Sequence, residues 1–192
     1  DKNLSDAVIK VFVDLYDKKL IYKDKKLVNW DTALQTAISD LEVVQKETQS
    51  NLYYIDYQIE DTSETITIAT TRPETMMGDA AIAVNPKDKR YFNLVGKKVK
   101  IPLVNRSIKI ITDHYADPEQ GSGAVKITPA HDFNDYLVGK RNRLEIINIL
   151  EKDGKINKNG IKDFIGLDRF EARKQILIKL KEKNCLVKIE QI

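Results

Sequence analysis

The sequence predicts an α+β fold in which many short strands form a barrel-like β-sheet with peripheral helices. Short stretches rich in β-branched residues recur along the chain, and turn-forming residues separate them. Two longer stretches, one near each end, place apolar residues at helical spacing. The 192 residues, of which 42% are hydrophobic, suit a single domain with a substantial core. Within residues 1–192 we expect an N-terminal helix and hairpin at 1–30, a β-barrel core at 41–165, and a C-terminal helix and strand at 168–192.

The N-terminal part is predicted to begin with a helix at 5–20, because its apolar residues recur at helical spacing and Ser5 suits the N-cap. A small hairpin follows, with strands at 21–22 and 27–30 around a charged turn. The further predicted strands are 41–47, 52–59, 65–71, 80–84, 97–102, 107–112, 124–128, 144–150 and 186–189.

Two more helical segments complete the prediction. A short one spans 88–95 and ends at Gly96, and an amphipathic one spans 168–183. A polar loop at 113–120 carries His114, which we interpret as a surface histidine. The residues predicted to face inward from the last helix are Phe170, Ile176, Leu177 and Leu180.

The composition limits the kinds of binding partner and the cellular compartment that we expect for this protein. The 32 basic and 29 acidic residues give a formal net charge of +3, which is compatible with an RNA partner without requiring one. A single cysteine, Cys185, excludes an internal disulfide and a cysteine-rich zinc site. The sequence shows no apolar run of membrane-spanning length and no signal peptide, so we expect a cytoplasmic protein with no membrane partner.

The stretch GSGAVKITPAHDFNDYLVG, residues 121–139, predicts a tight turn, a short strand and the first turns of a helix. Lys126 and Thr128 alternate with apolar residues along the strand, which a proline ends. Asp132 is the predicted N-cap of the helix, and Asp135 lies near the positive end of its dipole. This junction gathers a cation, a hydroxyl and two carboxylates, which is typical of a polar pocket.

The same residues also fit a purely structural interpretation. Lys126 and Thr128 would then form the solvent-exposed face of the strand, and Asp132 would only cap the helix. A second stretch, TITIATTRPETMMGDAAIA at 65–83, favours the pocket. In it a β-rich run breaks at an Arg-Pro pair into a polar loop before the next apolar run.

Together, TTRPETMMGD and GSGAVKITPAHDFNDYLVG resemble the editing domain of class I aminoacyl-tRNA synthetases, in particular of the valyl-tRNA synthetase family. Leucine enzymes resemble TTRPDT and VPAHD, without the lysine and threonine of KITPAHD. Isoleucine enzymes lack the arginine of TRPET and have a glycine-bearing junction. Residues 28–31, 36–43 and 166–173 resemble the ends of the same insertion, so the resemblance covers nearly the whole chain. Because no HIGH-type or KMSKS-type signature is present, the chain resembles an excised editing domain without the amino-acid-activating site.

The resemblance implies the β-barrel fold of the editing domains and assigns roles to the two motifs. Asp132 would bind the α-ammonium group of an aminoacyl ester, and Lys126 would lie near the ester or the terminal ribose. Both are catalytic chiefly in the sense that they position the reaction. Thr128 and Asp135 would recognise a threonine side chain. The opposite wall would be formed by Thr71, Arg72 and Thr75.

The implied activity is post-transfer editing, in which threonine is hydrolysed from mischarged valine tRNA. Threonine and valine are nearly isosteric, so an apolar pocket rejects the added hydroxyl only weakly and a second site must recognise it. The implied partners are the acceptor end of valine tRNA, the threonine moiety and the remainder of the synthetase chain.

For the chemistry we expect a positioned water, aided by the terminal hydroxyl of the tRNA. No metal cluster is evident in the sequence, and His131 has no serine or cysteine partner that would make a nucleophile. We expect no cofactor in this chain; ATP and Mg²⁺ are expected only for a full-length ligase.

One residue departs from the family pattern. Gln120 stands where the valine family usually has an aromatic residue that packs against the substrate or the terminal adenosine. This departure leaves open a tRNA-binding module without independent hydrolytic activity. Two further functions stay open: the equivalent isoleucyl or leucyl editing domain, which Arg72 and Lys126–Thr128 disfavour, and a general nucleic-acid-binding barrel.

Overall fold

The computed structural model describes residues 1–192, and it contains three α-helices, four short 3-10 helices and two β-sheets. The α-helices are α1 (Lys2–Asp17), α2 (Phe133–Asn142) and α3 (Arg169–Glu182). The 3-10 helices are Asp40–Glu42, Pro73–Gly78, Lys89–Leu94 and Lys162–Phe164. The strands are β1 (Asn29–Asp31), β2 (Thr36–Ile38), β3 (Asn51–Ile59), β4 (Thr65–Thr70), β5 (Ala81–Val84), β6 (Lys98–Lys100), β7 (Ser107–Thr112), β8 (Ala124–Ile127) and β9 (Leu186–Gln191).

The larger sheet has seven strands in the order β4-β3-β6-β7-β5-β8, and β9 pairs with β3. The β5–β7 pair is parallel and all the other pairs are antiparallel. β4 and β8, at opposite ends of this order, pack against each other, so the sheet nearly closes into a barrel. The predicted α+β class, with a barrel-like sheet and peripheral helices, is therefore confirmed.

The core is built from strands in which buried residues alternate with more exposed ones. Every second residue of β3 is buried, from Tyr53 through Ile55 and Tyr57 to Ile59, and Ile66 of β4 packs with them. Burial of each large apolar side chain of this kind contributes about 1.5–3 kcal/mol. Seven of the predicted strands are confirmed within a few residues. They are the strands at 52–59, 65–71, 80–84, 97–102, 107–112, 124–128 and 186–189.

β5 positions the two motifs beside each other. All four of its residues are buried between the parallel strand β7 and the antiparallel strand β8. Ile82 is paired with Lys126, and the backbone N–H of Ala80 donates to the carbonyl of Ile127 at 2.8 Å. The segment that precedes β5, which includes the RPET sequence, consequently lies against the end of β8.

The first helix starts earlier than predicted. α1 begins at Lys2, because the carboxylate of Asp1 accepts the backbone N–H of Asn3 and caps the helix. Ser5, the predicted N-cap, lies inside the first turns instead. No residue of α1 is buried.

The N-terminal hairpin forms later in the chain than the predicted strands at 21–22 and 27–30. β1 pairs with β2, and the carboxylate of Asp31 accepts the backbone N–H groups of Ala33 and Leu34, which closes the turn between them. An aspartate that accepts N–H groups two and three residues ahead stabilises a tight turn, and this fixes the register.

The strand predicted at 41–47 is wrong. Residues 40–42 form a 3-10 helix, and the carboxylate of Glu42 accepts hydrogen bonds from the backbone N–H and the hydroxyl of Ser39. Leu41 is 98% exposed and Val44 is 87% exposed, so this segment has no apolar face that would hold it in a sheet.

The strand predicted at 144–150 is reduced to one bridge between Leu150 and Ile156. The side chain of Asn148 accepts from the N–H of Leu150 and donates to its carbonyl, and Asn157 donates to the carbonyl of Asn148. Asparagine side chains thus replace strand partners for these backbone groups.

α3 confirms the C-terminal helix, with Asp168 as its N-cap. Ile176 and Leu180 are buried as predicted. Phe170 is not buried; it is 51% exposed, and the centroid of its ring lies 4.4 Å from the guanidinium carbon of Arg169, which covers the ring. None of the helices combines the length and the apolar composition needed to cross a lipid bilayer.

Candidate functional site

One cleft of about 460 Å³ lies where the end of β4, the glycine turn before β8 and the start of α2 meet. The structure brings all eight predicted site residues to it. They are Thr71, Arg72, Thr75, Gln120, Lys126, Thr128, Asp132 and Asp135.

The turn that opens the stretch at 121–139 has the geometry the sequence predicts. Gly121 and Gly123 have φ angles of +57° and +81°, and a Cβ on Gly121 would lie 2.7 Å from the Cβ of Ala69 on β4. Only glycine meets both requirements at position 121 without strain. The close approach seats the turn against β4 and forms one end of the cleft.

α2 places two carboxylates at the cleft. Asp132 is its N-cap, and its Oδ1 accepts the backbone N–H groups of Asn134 at 2.8 Å and Asp135 at 3.1 Å. Asp132 is exposed, so its second oxygen stays available to a cationic group.

Asp135, in the first turn of α2, is buried and accepts the backbone N–H of Thr128 through Oδ2 at 2.8 Å. Burial raises the pKa of Asp135 to about 6, and the Thr128 hydrogen bond and the Lys126 charge oppose this rise. A carboxyl that titrates near neutral pH therefore lies beside the strand end.

Lys126 is buried, and its ammonium group faces three protein oxygens. Nζ lies 2.7 Å from Oγ1 of Thr75, 2.5 Å from Oγ1 of Thr128 and 3.2 Å from Oδ1 of Asp79. The alternation predicted for β8 is confirmed, but the polar face of the strand is the floor of the cleft and not a solvent-exposed surface.

Asp79 is a residue beneath the cleft that the sequence did not predict. It is fully buried and accepts from the hydroxyl of Thr128 at 2.7 Å and from the phenol of Tyr57 at 2.7 Å. Arg106 donates to the backbone carbonyl of Asp79 at 2.6 Å, which holds this segment in place. The sequence does place the Asp79 carboxylate between Gly78 and an apolar strand. A carboxylate buried at such a position requires hydrogen-bond partners, and this could have indicated its role.

His131 lines the cleft and is held at both ends. Its Nε2 accepts the backbone N–H of Ile149 at 3.0 Å, and its carbonyl accepts from Nη1 of Arg72 at 2.6 Å. Burial, with the charges of Arg72 and Lys126, lowers the pKa of His131 to about 4. The imidazole is thus neutral above that pH, with its proton on Nδ1.

The opposite wall is the 3-10 helix Pro73–Gly78. The hydroxyl of Thr75 donates to the carbonyl of Arg72 at 2.9 Å, which fixes its rotamer. Glu74 points away from the cleft and accepts two hydrogen bonds from Arg173 of α3, at 2.7 and 2.6 Å. The wall is therefore tied to α3.

The rim holds Gln120, which is exposed, and Tyr115, which the sequence analysis did not single out. Burial raises the pKa of the Tyr115 phenol. His114, its neighbour, is exposed and does not line the cleft, in agreement with the surface interpretation. No group of three or more His, Cys, Asp or Glu side chains is arranged to hold a metal ion.

Residues 1–191 match the family of tRNA synthetases class I (I, L, M and V). The chain is 68% identical over 192 residues to the valine–tRNA ligase of Pelagibacter ubique, a match that covers 100% of this chain and 22% of that protein. It thus spans about a fifth of the length of the curated relatives it matches.

Two solved structures share the fold. The structure of GlLeuRS-CP1 has a TM-score of 0.58 at 13% identity and covers 72% of this chain and 98% of its own. The ternary complex of Agrobacterium radiobacter K84 agnB2 LeuRS with tRNA and LeuAMS has a TM-score of 0.57 at 19% identity, and covers 95% of this chain and 31% of its own. At these identities the similarity concerns the fold alone.

Proposed function

Because this chain belongs to the class I tRNA synthetase family and has the fold of a synthetase editing domain, we propose that it is the editing domain of a valine–tRNA ligase. In this proposal it hydrolyses the ester of mischarged threonyl-tRNA(Val), as part of a longer ligase that acts in the cytoplasm. Its partners are the acceptor end of valine tRNA and the rest of the ligase chain.

The observation that carries the proposal is the polar floor of the cleft. A site that must accept threonine and reject valine needs buried polar groups that a methyl group would leave unpaired. The hydroxyls of Thr75 and Thr128 and the carboxylate of Asp135 supply such groups, and all three residues are nearly inaccessible to solvent in the free chain.

A carboxylate for the substrate's ammonium group lies beside this floor. Asp132 is exposed and its orientation is fixed by the two N–H groups it caps. Its free oxygen binds the α-ammonium of the aminoacyl ester, and the side chain of the amino acid then reaches Thr128 and Asp135. Arg72, whose side chain is 41% exposed, contributes a cation for the tRNA end.

The proposed reaction is ester hydrolysis by a positioned water. The water oxygen attacks the ester carbonyl carbon, the bond from that carbon to the ribose oxygen breaks, and the ribose oxygen takes up a proton. The cleft places no serine or cysteine beside His131, whose Nε2 accepts a backbone N–H, so the protein's part is to position the substrate and the water. We assign no metal or cofactor to this cleft; ATP and Mg²⁺ would serve an activating site elsewhere in a full-length ligase.

A second candidate function is a tRNA-binding module without hydrolysis. Gln120 favours it, because this exposed rim residue offers less apolar contact to a terminal adenosine than an aromatic ring does. The polar floor has no purpose in such a module, and for this reason we place hydrolysis first.

The test is deacylation of threonyl-, valyl- and isoleucyl-tRNA(Val) by the full-length polypeptide that carries this chain. We expect rapid loss of threonine alone, and a large reduction in Asp132→Asn. Asp163→Asn is the matched control, because Asp163 is exposed and pairs with Lys179 away from the cleft. Binding of tRNA with no deacylation would favour the second candidate, and hydrolysis unaffected by Asp132→Asn would reject the site.

A further inference from the structure

Hydrogen bonds beneath the cleft fix the position of the Lys126 ammonium group. An ammonium group carries three N–H donors and no acceptor. Its three close oxygens belong to Thr75, Thr128 and Asp79, at 2.7, 2.5 and 3.2 Å. Because the Thr128 hydroxyl oxygen and Oδ1 of Asp79 are only 2.7 Å apart, they share one N–H of Lys126, and a second N–H bonds to Thr75.

The directions of the neighbouring hydroxyl groups follow from this. The Thr128 hydroxyl accepts from Lys126, and because an ionised carboxylate only accepts, it donates its own proton to Oδ1 of Asp79 at 2.7 Å. The Thr75 hydroxyl accepts from Lys126 and donates to the carbonyl of Arg72 at 2.9 Å. Each hydroxyl keeps one unused lone pair and no free proton.

Asp79 is the common acceptor in this arrangement. Its Oδ1 accepts from Lys126 and Thr128, and its Oδ2 accepts from the phenol of Tyr57 at 2.7 Å. Asp79 does not line the cleft, so it acts on a bound molecule only through its neighbours. A buried carboxylate with three donors is held rigidly, because loss of any one donor leaves charge unpaired.

We propose that Asp79 is a positioning residue that takes the proton of the Thr128 hydroxyl and anchors Lys126, so that Thr128 meets a substrate side chain as a hydrogen-bond acceptor. The floor then offers lone pairs of Thr75, Thr128 and the free oxygen of Asp135. A side-chain hydroxyl donates to one of them, whereas a methyl group leaves them unpaired. The inference rests on the proposed function, and it assigns the selectivity for hydroxyl-bearing amino acids to a residue outside the cleft.

The first test measures selectivity in the full-length polypeptide that carries this chain. In Asp79→Asn the side-chain amide replaces one acceptor by a donor, so the Thr128 hydroxyl can turn. We expect the ratio of kcat/KM for threonyl-tRNA(Val) over valyl-tRNA(Val) to fall by about ten- to a hundredfold, with Kd for uncharged tRNA unchanged. Tyr57→Phe removes only the Oδ2 donor and should lower the ratio by less. Tyr54→Phe, on the opposite face of β3, is the matched control.

The outcomes separate the two proposals. No threonyl-tRNA hydrolysis by the unchanged protein would overturn the proposed function. Normal hydrolysis whose selectivity survives in a folded Asp79→Asn variant would overturn the positioning role alone. Because that variant can fail to fold, neutron diffraction of the unchanged, perdeuterated protein gives an independent answer. We expect the Thr128 deuteron on the line to Asp79; a Thr128 deuteron directed into the cleft would overturn the inference.

Discussion

Arg173 of α3 and Glu74 of the cleft wall form a bidentate ion pair, with Nε and Nη2 at 2.7 and 2.6 Å from the two carboxylate oxygens. Glu74 is 1% exposed, and it lies in sequence between Arg72 and Thr75, which line the cleft. The pair therefore joins the C-terminal helix to the segment that shapes the site.

Removing Arg173 should destabilise the fold strongly. In Arg173→Ala the buried Glu74 carboxylate keeps only its longer, 3.9 Å contact with Arg72, so we expect the free energy of unfolding to fall by about 3 kcal/mol. Arg173→Lys keeps the charge but not the bidentate geometry, and should lose less. Urea denaturation monitored by circular dichroism measures both.

Lys174→Ala on the same helix is the control for this pair. Lys174 bonds to Glu171 in an exposed pair, so its removal should cost about 0.5 kcal/mol or less. Equal losses in Arg173→Ala and Lys174→Ala would show that the buried pair does not hold α3 to the cleft wall.

Asp135 and His131 give the protein opposing responses to acid. The pKa of Asp135 is raised to about 6 in the folded protein. Its contribution to stability is therefore complete at a pH below its pKa in the unfolded chain, and it is lost as the pH rises through 6. The pKa of His131 is lowered to about 4, so its contribution is present above its unfolded value and is lost as the pH falls through 4. Between pH 6.5 and 4.5 the gain from Asp135 offsets the loss from His131.

Asp135→Asn should make visible the stability that the protein loses when His131 becomes protonated. The variant lacks the gain, so between pH 6.5 and 4.5 its free energy of unfolding should fall by about 2 kcal/mol more than that of the unchanged protein. The measurement is urea denaturation of both proteins at the two pH values. Parallel pH profiles would contradict the raised pKa of Asp135.

The sequence motifs predicted the residues that line the cleft better than they predicted the hydrogen bonds beneath it. Lys126, Thr128, Asp132 and Asp135 follow from one stretch, because strand alternation and helix capping fix their relative positions locally. Asp79 did not, since its partners come from distant strands and a lone carboxylate has no local pattern.

The errors in secondary structure have a related cause. Residues 41–47 have strand-like composition, but no neighbouring strand pairs with them, and a local capping box prevails. Likewise, the Glu74–Arg173 pair joins residues 99 positions apart, which no local pattern indicates. Interactions between residues close in sequence can be predicted from local patterns, whereas contacts between distant residues become evident only in the folded structure.

Gly139 of α2 should resist replacement although it lies in a helix. A Cβ there would lie 2.7 and 2.8 Å from Cγ and Cβ of Pro129, which follows β8. Alanine normally stabilises a helix relative to glycine by about 1 kcal/mol. Here the overlap should reverse the sign, and Gly139→Ala should lose about 1–3 kcal/mol.

The control for Gly139→Ala is Lys140→Ala, which changes an exposed neighbour in the same helix. Thermal unfolding of both variants measures the effect. A higher Tm in Gly139→Ala than in the unchanged protein would mean that α2 is not packed closely on Pro129.

Gln120→Phe should strengthen contact with the tRNA end. Gln120 is exposed on the rim of the cleft, so a ring at this position can stack on a base without displacing core residues. An aromatic stacking contact contributes about 0.5–1.5 kcal/mol, which corresponds to a KM for threonyl-tRNA(Val) about two- to tenfold lower at unchanged kcat. Glu119→Phe adds the same ring to a neighbour that does not line the cleft, and it should leave KM unchanged. Equal effects of the two substitutions would indicate nonspecific adhesion of tRNA, and no effect of either would show that the terminal base does not reach this side of the cleft.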